Sequence, residues 1–323
     1  MTETLHSPRE CRVVLPGGAG LVGQNLVVRL KEKGYRDIVV LDRHGPNTEI
    51  LRSLHPELTV VTVDLADPAH KEAWRHHVHE ADVVVMLQAQ IGSNDYQDFV
   101  RGNLASTEHV LEAMKSAPRT PYLVHISSSV VESAADDFYT NTKKAQEEMV
   151  RASGIGGPVL RPTLMFGWFD RKHLGWLSRF MRRAPVFPIP DDGRYMRQPL
   201  YVGDFCAVIL SCIERRVPNG TFNISGHEKV DYVDIIRAIK RATGARTPIV
   251  HIPYRLFHGL LWVWGQFDRN PPFTTQQLQA LIARDEFEVI DWPGIFGVRT
   301  TPFAEAIDET FRHPRYSQVV LEF

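Results

Sequence analysis

Cysteine is scarce. Only Cys11, Cys206 and Cys212 occur in 323 residues, and their wide separation offers neither a disulfide framework nor a metal-ligand spacing. An odd thiol count suits a reducing compartment. Met1 to Glu10 is polar, contains Pro8 and has no apolar secretory core, so a cytoplasmic location is expected. An excess of one charge is also missing: the net charge is -1 and basic residues are scattered, which argues against a nucleic-acid partner. No apolar run is long enough to span a bilayer. The nearest, Leu256 to Phe267, falls well short of the roughly 20 residues a spanning helix needs. It reads as a buried or interface helix; a membrane-surface helix is the lesser option, because its polar face is not basic. His70, His76, His77 and His79 lack a carboxylate or cysteine to complete a metal site, so no metal is expected. Internal repeats, low-complexity segments and a clean interdomain linker are absent.

The chain does contain one stretch with a strong physical signature. Arg12-Val13-Val14-Leu15-Pro16 is a short apolar strand that breaks into Gly17, Gly20 and Gly23, three residues apart, with Leu21 and Val22 opening an amphipathic helix. A second apolar strand, Ile38 to Leu41, then ends in Asp42. Strand, glycine turn, helix and a distal carboxylate form the pattern of a dinucleotide-binding βαβ unit. In that pattern Gly17 allows the tight turn, Gly20 lets the backbone approach a pyrophosphate, and Gly23 lets helix pack on strand. The helix N-terminus offers free N–H groups to phosphate. Asp42 is placed to accept from ribose hydroxyls, which favours NAD; Arg43 beside it leaves a 2′-phosphate, and so NADP, open.

To about residue 160 apolar runs alternate with helical stretches. Strands are expected at 12–15, 38–41, 58–63, 83–87, 122–126 and 158–160, and helices at 21–33, 103–115 and 139–152. Runs of Val and Ile with little alternation are buried on both faces, so the fold class is α/β, a doubly wound parallel sheet. After Arg161-Pro162 the texture changes to proline- and glycine-rich sequence, then mostly helix. The expected organisation is a nucleotide-binding domain over 1–162 and a smaller, mostly helical substrate lobe over 163–323. The lobe is interleaved with the first domain, the chain returning to it around 198–225.

Tyr139 and Lys143 fall at i and i+4 on one helix face. A phenol is too weak a base at neutral pH unless a nearby positive charge stabilises its phenolate, and Lys143 is expected to supply that charge. The alternative is an ordinary surface pair on an amphipathic helix. Upstream, His125-Ile126-Ser127-Ser128-Ser129 is a strand that ends in hydroxyls at the carboxyl edge of the sheet, where open α/β sheets bind ligands. Position in the run does not tell which serine points inward.

With these motifs the chain resembles the extended short-chain dehydrogenase/reductase family, in particular its NAD-dependent nucleotide-sugar epimerase and dehydratase group. Gly17, Gly20 and Gly23 match the family's glycine turn, and Asp64-Leu65 matches its adenine-contacting pair. Met86-Leu87-Gln88-Ala89-Gln90-Ile91-Gly92 is similar to a cofactor-lining segment usually written His-Leu-Ala-Ala-Gln-Ala-Gly. Asn103 resembles an asparagine that braces the active site. The resemblance implies Ser128 as catalytic hydroxyl, with Ser129 the adjacent alternative, Tyr139 and Lys143 as catalytic pair, and Glu147 at the usual acidic position. It assigns Gln88, Ala89, Asn103, Tyr139 and Lys143 to the cofactor side, and Gln90, Ser129 and Arg197 to the substrate side. Arg197-Gln198-Pro199-Leu200-Tyr201-Val202-Gly203-Asp204 is similar to the segment whose arginine grips a nucleotide-sugar diphosphate; a rim arginine without a ligand is the plainer alternative.

The departures bear on substrate more than on chemistry. Arg161-Pro162-Thr163-Leu164 stands where sugar epimerases carry Arg-Pro-x-Asn, and Glu132-Ser133 replaces an aromatic and a glycine. Ser129-Val130 replaces the Asp-Glu pair of the 4,6-dehydratases, which disfavours dehydration. The expected function is an NAD-dependent epimerase of a nucleotide-activated sugar, acting most plausibly at C4. The alternatives are an NAD(P)H-dependent ketone reductase similar to the hydroxysteroid and flavonol branches, or a non-catalytic cofactor-binding accessory subunit. Relatives that pair through four helices make a homodimer through the helices at Asn103 and Tyr139 a further expectation.

Overall fold

A computed structural model of the chain describes residues 7–267, 274–282 and 289–322; residues 1–6 of the polar N-terminal stretch lie outside these. The first part alternates strand and helix: β1 (Val13–Pro16), α1 (Leu21–Glu32), β2 (Ile38–Asp42), α2 (Gly45–Leu54), β3 (Thr59–Thr62), α3 (Lys71–His79) and β4 (Val83–Met86). A short helix α4 (Tyr96–Phe99) runs through a π-helical segment, Val100–Ala105, into α5 (Ser106–Lys115). Then come β5 (Tyr122–Ile126), α6 (Phe138–Ala152) and β6 (Pro158–Pro162).

The second part holds β7 (Met165–Phe166), α7 (Leu174–Arg183), β8 (Phe187–Pro190), β9 (Met196–Arg197), β10 (Leu200–Tyr201) and α8 (Val202–Arg215). It continues with β11 (Gly220–Ile224), β12 (Val230–Asp231), α9 (Tyr232–Thr243), β13 (Ile249–Ile252), α10 (Tyr254–Phe267), α11 (Thr275–Ile282), α12 (Trp292–Phe296) and α13 (Phe303–Arg312).

Among the described residues the main sheet has seven strands in the order β11-β6-β5-β4-β1-β2-β3, and every neighbouring pair is parallel. Period-two alternation sends side chains to two separate cores. Val13, Leu15, Val83, Val85 and Val124 pack with Leu26, Val27 and Leu30 of α1 and Phe205 and Ile209 of α8. Val14, Val39, Leu41, Val84 and Met86 pack with Trp74 and Val78 of α3, Val110 and Met114 of α5 and Val150 of α6. Both faces are covered, so the strands are apolar throughout rather than alternating. Strand β11 lies beside β6 in register from Gly220↔Pro158 to Ile224↔Pro162, so a segment after residue 162 completes the sheet.

Successive crossovers from β1 run toward β3 and those from β4 run toward β11, so strand order reverses between β1 and β4. Ligands of open sheets sit in the crevice at that reversal, beyond the carboxyl ends of the strands. Elsewhere remote parts of the chain join the sheet's helices. Arg29 of α1 pairs with Glu309 of α13 at 2.5 Å and lies 4.7 Å over the Trp168 ring.

Of the two options for Leu256 to Phe267, a buried or an interface helix, full burial is not what the structure shows. Helix α10 buries Phe257 and Leu261, which pack with Leu278 of α11, while Leu256, Leu260, Trp262 and Phe267 are 57, 53, 59 and 87% exposed. Apolar residues on both sides of the helix cannot all reach one neighbour, and only the 257/261 side does.

Candidate active site

The glycine turn is built by close backbone approach. Gly17 has φ +76°, and an added Cβ would lie 2.4 Å from the Gln88 backbone at the end of β4, so a side chain there would push β1 from β4. A Cβ on Gly23 would lie 2.2 Å from the Gly18 carbonyl oxygen, which fixes how tightly α1 seats on the turn. Gly20 differs: its Cβ would meet only the Gly17 oxygen at 3.7 Å. Protein packing therefore does not require glycine at position 20, and the space before it is open. It caps α1 without a side-chain hydrogen bond, and the first turn carries no acid. The N-terminal N–H groups, beginning with Leu21 and Val22, thus remain available to an anion. This cradle fits the pyrophosphate of a dinucleotide.

Asp42 stands at the end of β2, where its carboxylate accepts from the Ala19 and His44 N–H groups, each at 2.9 Å. Burial raises its pKa, and the two N–H bonds only partly offset that. Arg43 donates to Gln90 Oε1 at 2.5 Å, which ties the residue beside the ribose position to the loop after β4. Asp64 accepts from Arg101 Nε at 2.9 Å and from the Ala66 N–H at 2.9 Å. Leu65 is buried, and its carbonyl meets His109 Nδ1 at 2.8 Å. Ala89 is exposed and Gln88 buried.

Asn103 sits where the loop after β4 meets α6. Asn103 is fully buried within the π-helical segment, whose extra residue per turn is a frequent device at functional sites. Its Oδ1 accepts the Gln90 N–H at 2.6 Å. Its Nδ2 donates to Thr142 Oγ1 at 2.9 Å and to the Gln90 carbonyl at 3.3 Å. With both ends spent on protein, it clamps the β4 loop to α6.

At the end of β5 the serines separate by partner. Ser127 is buried and donates to Glu147 Oε2 at 2.6 Å. Ser128 is half-buried, accepts from the Val130 N–H at 3.4 Å, and acts on the Tyr139 phenol to lower its pKa. Ser129 begins a short 3₁₀ turn. Helix α6 is started by Asp137, which accepts from the Thr140 N–H at 2.9 Å and from Thr140 Oγ1 at 2.8 Å. That cap sets Tyr139 on the first turn and Lys143 one turn further in. Burial raises the Tyr139 pKa, Ser128 pulls it down, and Asp137 raises it; the net direction is upward. Ser128 is the group that acts to lower it.

Lys143 is 1% exposed. Its Nζ donates to the Ile126 carbonyl at 3.1 Å and to Gln146 Oε1 at 2.5 Å. Burial pushes its pKa down to about 7, with Glu147 pulling the other way. Glu147, also buried, accepts from Arg161 Nη2 at 2.6 Å. Arg161 in turn pairs with Glu132 at 2.7 Å, and Glu132 accepts from Asn223 of β11 at 2.9 Å. The unusual Glu132 thus joins β6 and β11 to the helix that carries Tyr139 and Lys143.

Arg197 lies in the second lobe on β9, antiparallel to β12. Its guanidinium donates to the Met196 and Leu281 carbonyls, which connects it to α11. The residues that sequence reasoning missed are Gln146 and Thr142. Gln146 is wholly buried; its signal was a polar residue three places after Lys143 on the inward face of α6. Among the described residues no group of His, Cys, Asp and Glu could hold a metal ion.

A family model described as the NAD dependent epimerase/dehydratase family matches residues 13–225. The ceramide reductase of Caulobacter vibrioides is 27% identical over 243 residues, covering 75% of this chain and 73% of that protein. A 3-beta-hydroxysteroid dehydrogenase of Mycolicibacterium neoaurum is 24% identical over 312 residues, covering 86% and 84%. Among solved structures, UDP-glucose 4-epimerase with UDP-glucose from Thermotoga maritima superposes with TM-score 0.73 at 17% identity, covering 95% of this chain and 99% of that one. The Bordetella bronchiseptica enzyme WbmG in complex with NAD and UDP gives TM-score 0.71 at 18% identity, covering 94% of each. These likenesses show the shared fold.

Proposed function

The chain belongs to the NAD dependent epimerase/dehydratase family, and from that premise we propose that it is an NAD-dependent epimerase of a nucleotide-activated sugar. The glycine turn, the uncapped start of α1 and Asp42 hold the dinucleotide. When bound, NAD supplies the two-electron acceptor and donor for a ring carbinol carbon. With the cationic oxidised cofactor in place Tyr139 would act as phenolate, taking the proton from the ring hydroxyl and later returning it, while Ser128 hydrogen-bonds the same oxygen through both half-reactions. Lys143 contributes the positive charge beside them. The observation that carries this reading is the buried Lys143, whose Nζ donates to the Ile126 carbonyl at the carboxyl edge of the sheet, one helical turn after Tyr139 and behind Ser128. An idle scaffold has no use for that arrangement. Arg197, on the lobe side, is the residue we assign to a diphosphate. The three buried thiols, all free, support a reducing location.

The second reading is a one-way reductase of a ketone on an apolar substrate. It is favoured by the exposed apolar face of α10, joined to Arg197 through α11, and by the names of the ceramide and hydroxysteroid relatives. Purification separates the two. An epimerase is expected to retain NAD and to melt at higher temperature with uridine or guanosine diphosphate, without net change in NADH absorbance during turnover. Steady consumption of added NADH with a ketone, and no response to either diphosphate, would overturn the sugar assignment.

A further inference from the structure

Lys143 does not stand alone in its pocket. Gln146 Nε2 donates to Thr107 Oγ1 at 2.8 Å and to the Gln88 carbonyl at 3.4 Å, and Gln88 Nε2 donates to the same Thr107 oxygen at 3.3 Å. The Gln88 carbonyl can only accept, so the amide nitrogen of Gln146 must face it and the amide oxygen must face Lys143. The backbone of Gln88 is the atom group against which Gly17 is packed. A continuous buried path thus runs from the glycine turn through Gln88, Thr107 and Gln146 to the lysine ammonium. Gln88 also stands where the family segment quoted above has alanine.

We propose that Gln146 is a positioning residue for Lys143, holding its ammonium against the end of β5 and coupling it through Thr107 and Gln88 to the glycine turn. The proposal rests on the reading of Lys143 as the positive charge of the cofactor site. In a dry pocket a lysine keeps its proton only if acceptors replace the water it has lost. Here two neutral acceptors do so, the Ile126 carbonyl and the Gln146 amide oxygen. The titratable groups around it are few. Glu147 lies one turn along α6 and favours the charged form. His125 on β5 is wholly buried, with neither ring nitrogen hydrogen-bonded; burial first, then Lys143 and Arg151, push its pKa well down, so it is a neutral neighbour. Tyr139 is raised and also neutral. From α5 and the β4 loop only Thr107 and Gln88 meet the chain of bonds. Gln146 is therefore the neutral acceptor that substitution can remove without adding or deleting a charge.

The test needs no substrate. Unfolding free energies across pH are compared for the parent, Lys143→Met, Gln146→Leu and the double variant. Within each lysine/methionine pair the difference reports the Lys143 proton alone. The native pKa is depressed to about 7 from 10.5, so the lysine chain gains stability relative to its methionine twin as pH rises from about 7 toward 10.5. With Leu at 146 the onset of that gain is expected about one unit lower. An unmoved onset overturns the proposal. If Gln146→Leu does not fold, Thr107→Val breaks the path one step away and is expected to move the onset in the same direction by less; no movement there is equally fatal. Titration with NAD separates this idea from the reading beneath it. If Lys143→Met binds NAD like the parent, the assignment of Lys143 to the cofactor site fails. If Lys143→Met binds weakly while Gln146→Leu binds like the parent at every pH, only the role of Gln146 fails.

Discussion

The carboxyl edge of the sheet and the outer face of α10 treat water in opposite ways. At the sheet edge Asn103, Gln146 and Glu147 are at most 1% exposed, yet each is hydrogen-bonded; His125 is the exception. On α10 large apolar side chains stand in solvent beside a thin contact made by Phe257 and Leu261. Satisfied buried polar networks fix geometry, which proton transfer requires. An exposed apolar face fixes nothing by itself and serves contact with something else. On the proposed reading the chemistry belongs to the first region, and the second is a surface for contact.

The largest test of that division is Tyr139→Phe. Removing one hydroxyl leaves the ring packed and the glycine turn untouched. Turnover is expected to fall roughly 100- to 10,000-fold while NAD affinity, measured by titration, stays near that of the parent. Retained turnover would move the acid–base group elsewhere, and lost NAD binding would show that the phenol also holds the dinucleotide.

Next in size is Arg161→Met, which leaves Glu147 buried with a weaker set of partners. Breaking one side of such a pair costs about 3–5 kcal/mol when it is fully dry; Arg161 is partly exposed, so about 2–3 kcal/mol is expected near pH 7 from urea unfolding. Burial raises the Glu147 pKa, but the bonds from Arg161 and Ser127 outweigh it and the net direction is downward. The stability this pair supplies is therefore present above the ordinary carboxylate pKa and lost as pH falls through the native one. The deficit of Arg161→Met should shrink in acid. A deficit that is constant with pH would mean that packing, not charge, holds the network.

What could be read in the sequence follows the same line. Gly17, Gly23 and Asp42 announce themselves because strand, turn and helix are contiguous, and the doubly wound sheet follows from unbroken apolar strands. Ser128 was one of two candidates, since a run of serines at a strand end does not encode which hydroxyl turns inward. The structure shows Ser127 bound to Glu147 and Ser128 on Tyr139. Gln146 and Thr107 were not legible as a pair because they meet across 39 residues, through the packing of α5 on α6. Asn103 was noticed as a brace, but its bonds to Gln90 and Thr142 were not legible, since the π-helical turn that aims it has no sequence signature of its own. Helix α10 left two options open, buried or interface, because apolar composition alone does not say what covers a helix; among the described residues only the Phe257 and Leu261 side is packed.

The smallest expected effect lies on that helix. Leu260→Gln and Trp262→Gln replace side chains 53 and 59% exposed, so each should change stability by less than about 0.5 kcal/mol. Trp74→Ala, in the α3 core, should cost about 3–5 kcal/mol. The two polar changes should also shorten retention on a phenyl column, because the patch they dilute is what an apolar matrix meets first. If instead Leu260→Gln destabilises the protein like a core substitution, the outer face of α10 is covered in solution, and the contrast between a wet apolar helix and a dry polar edge no longer holds.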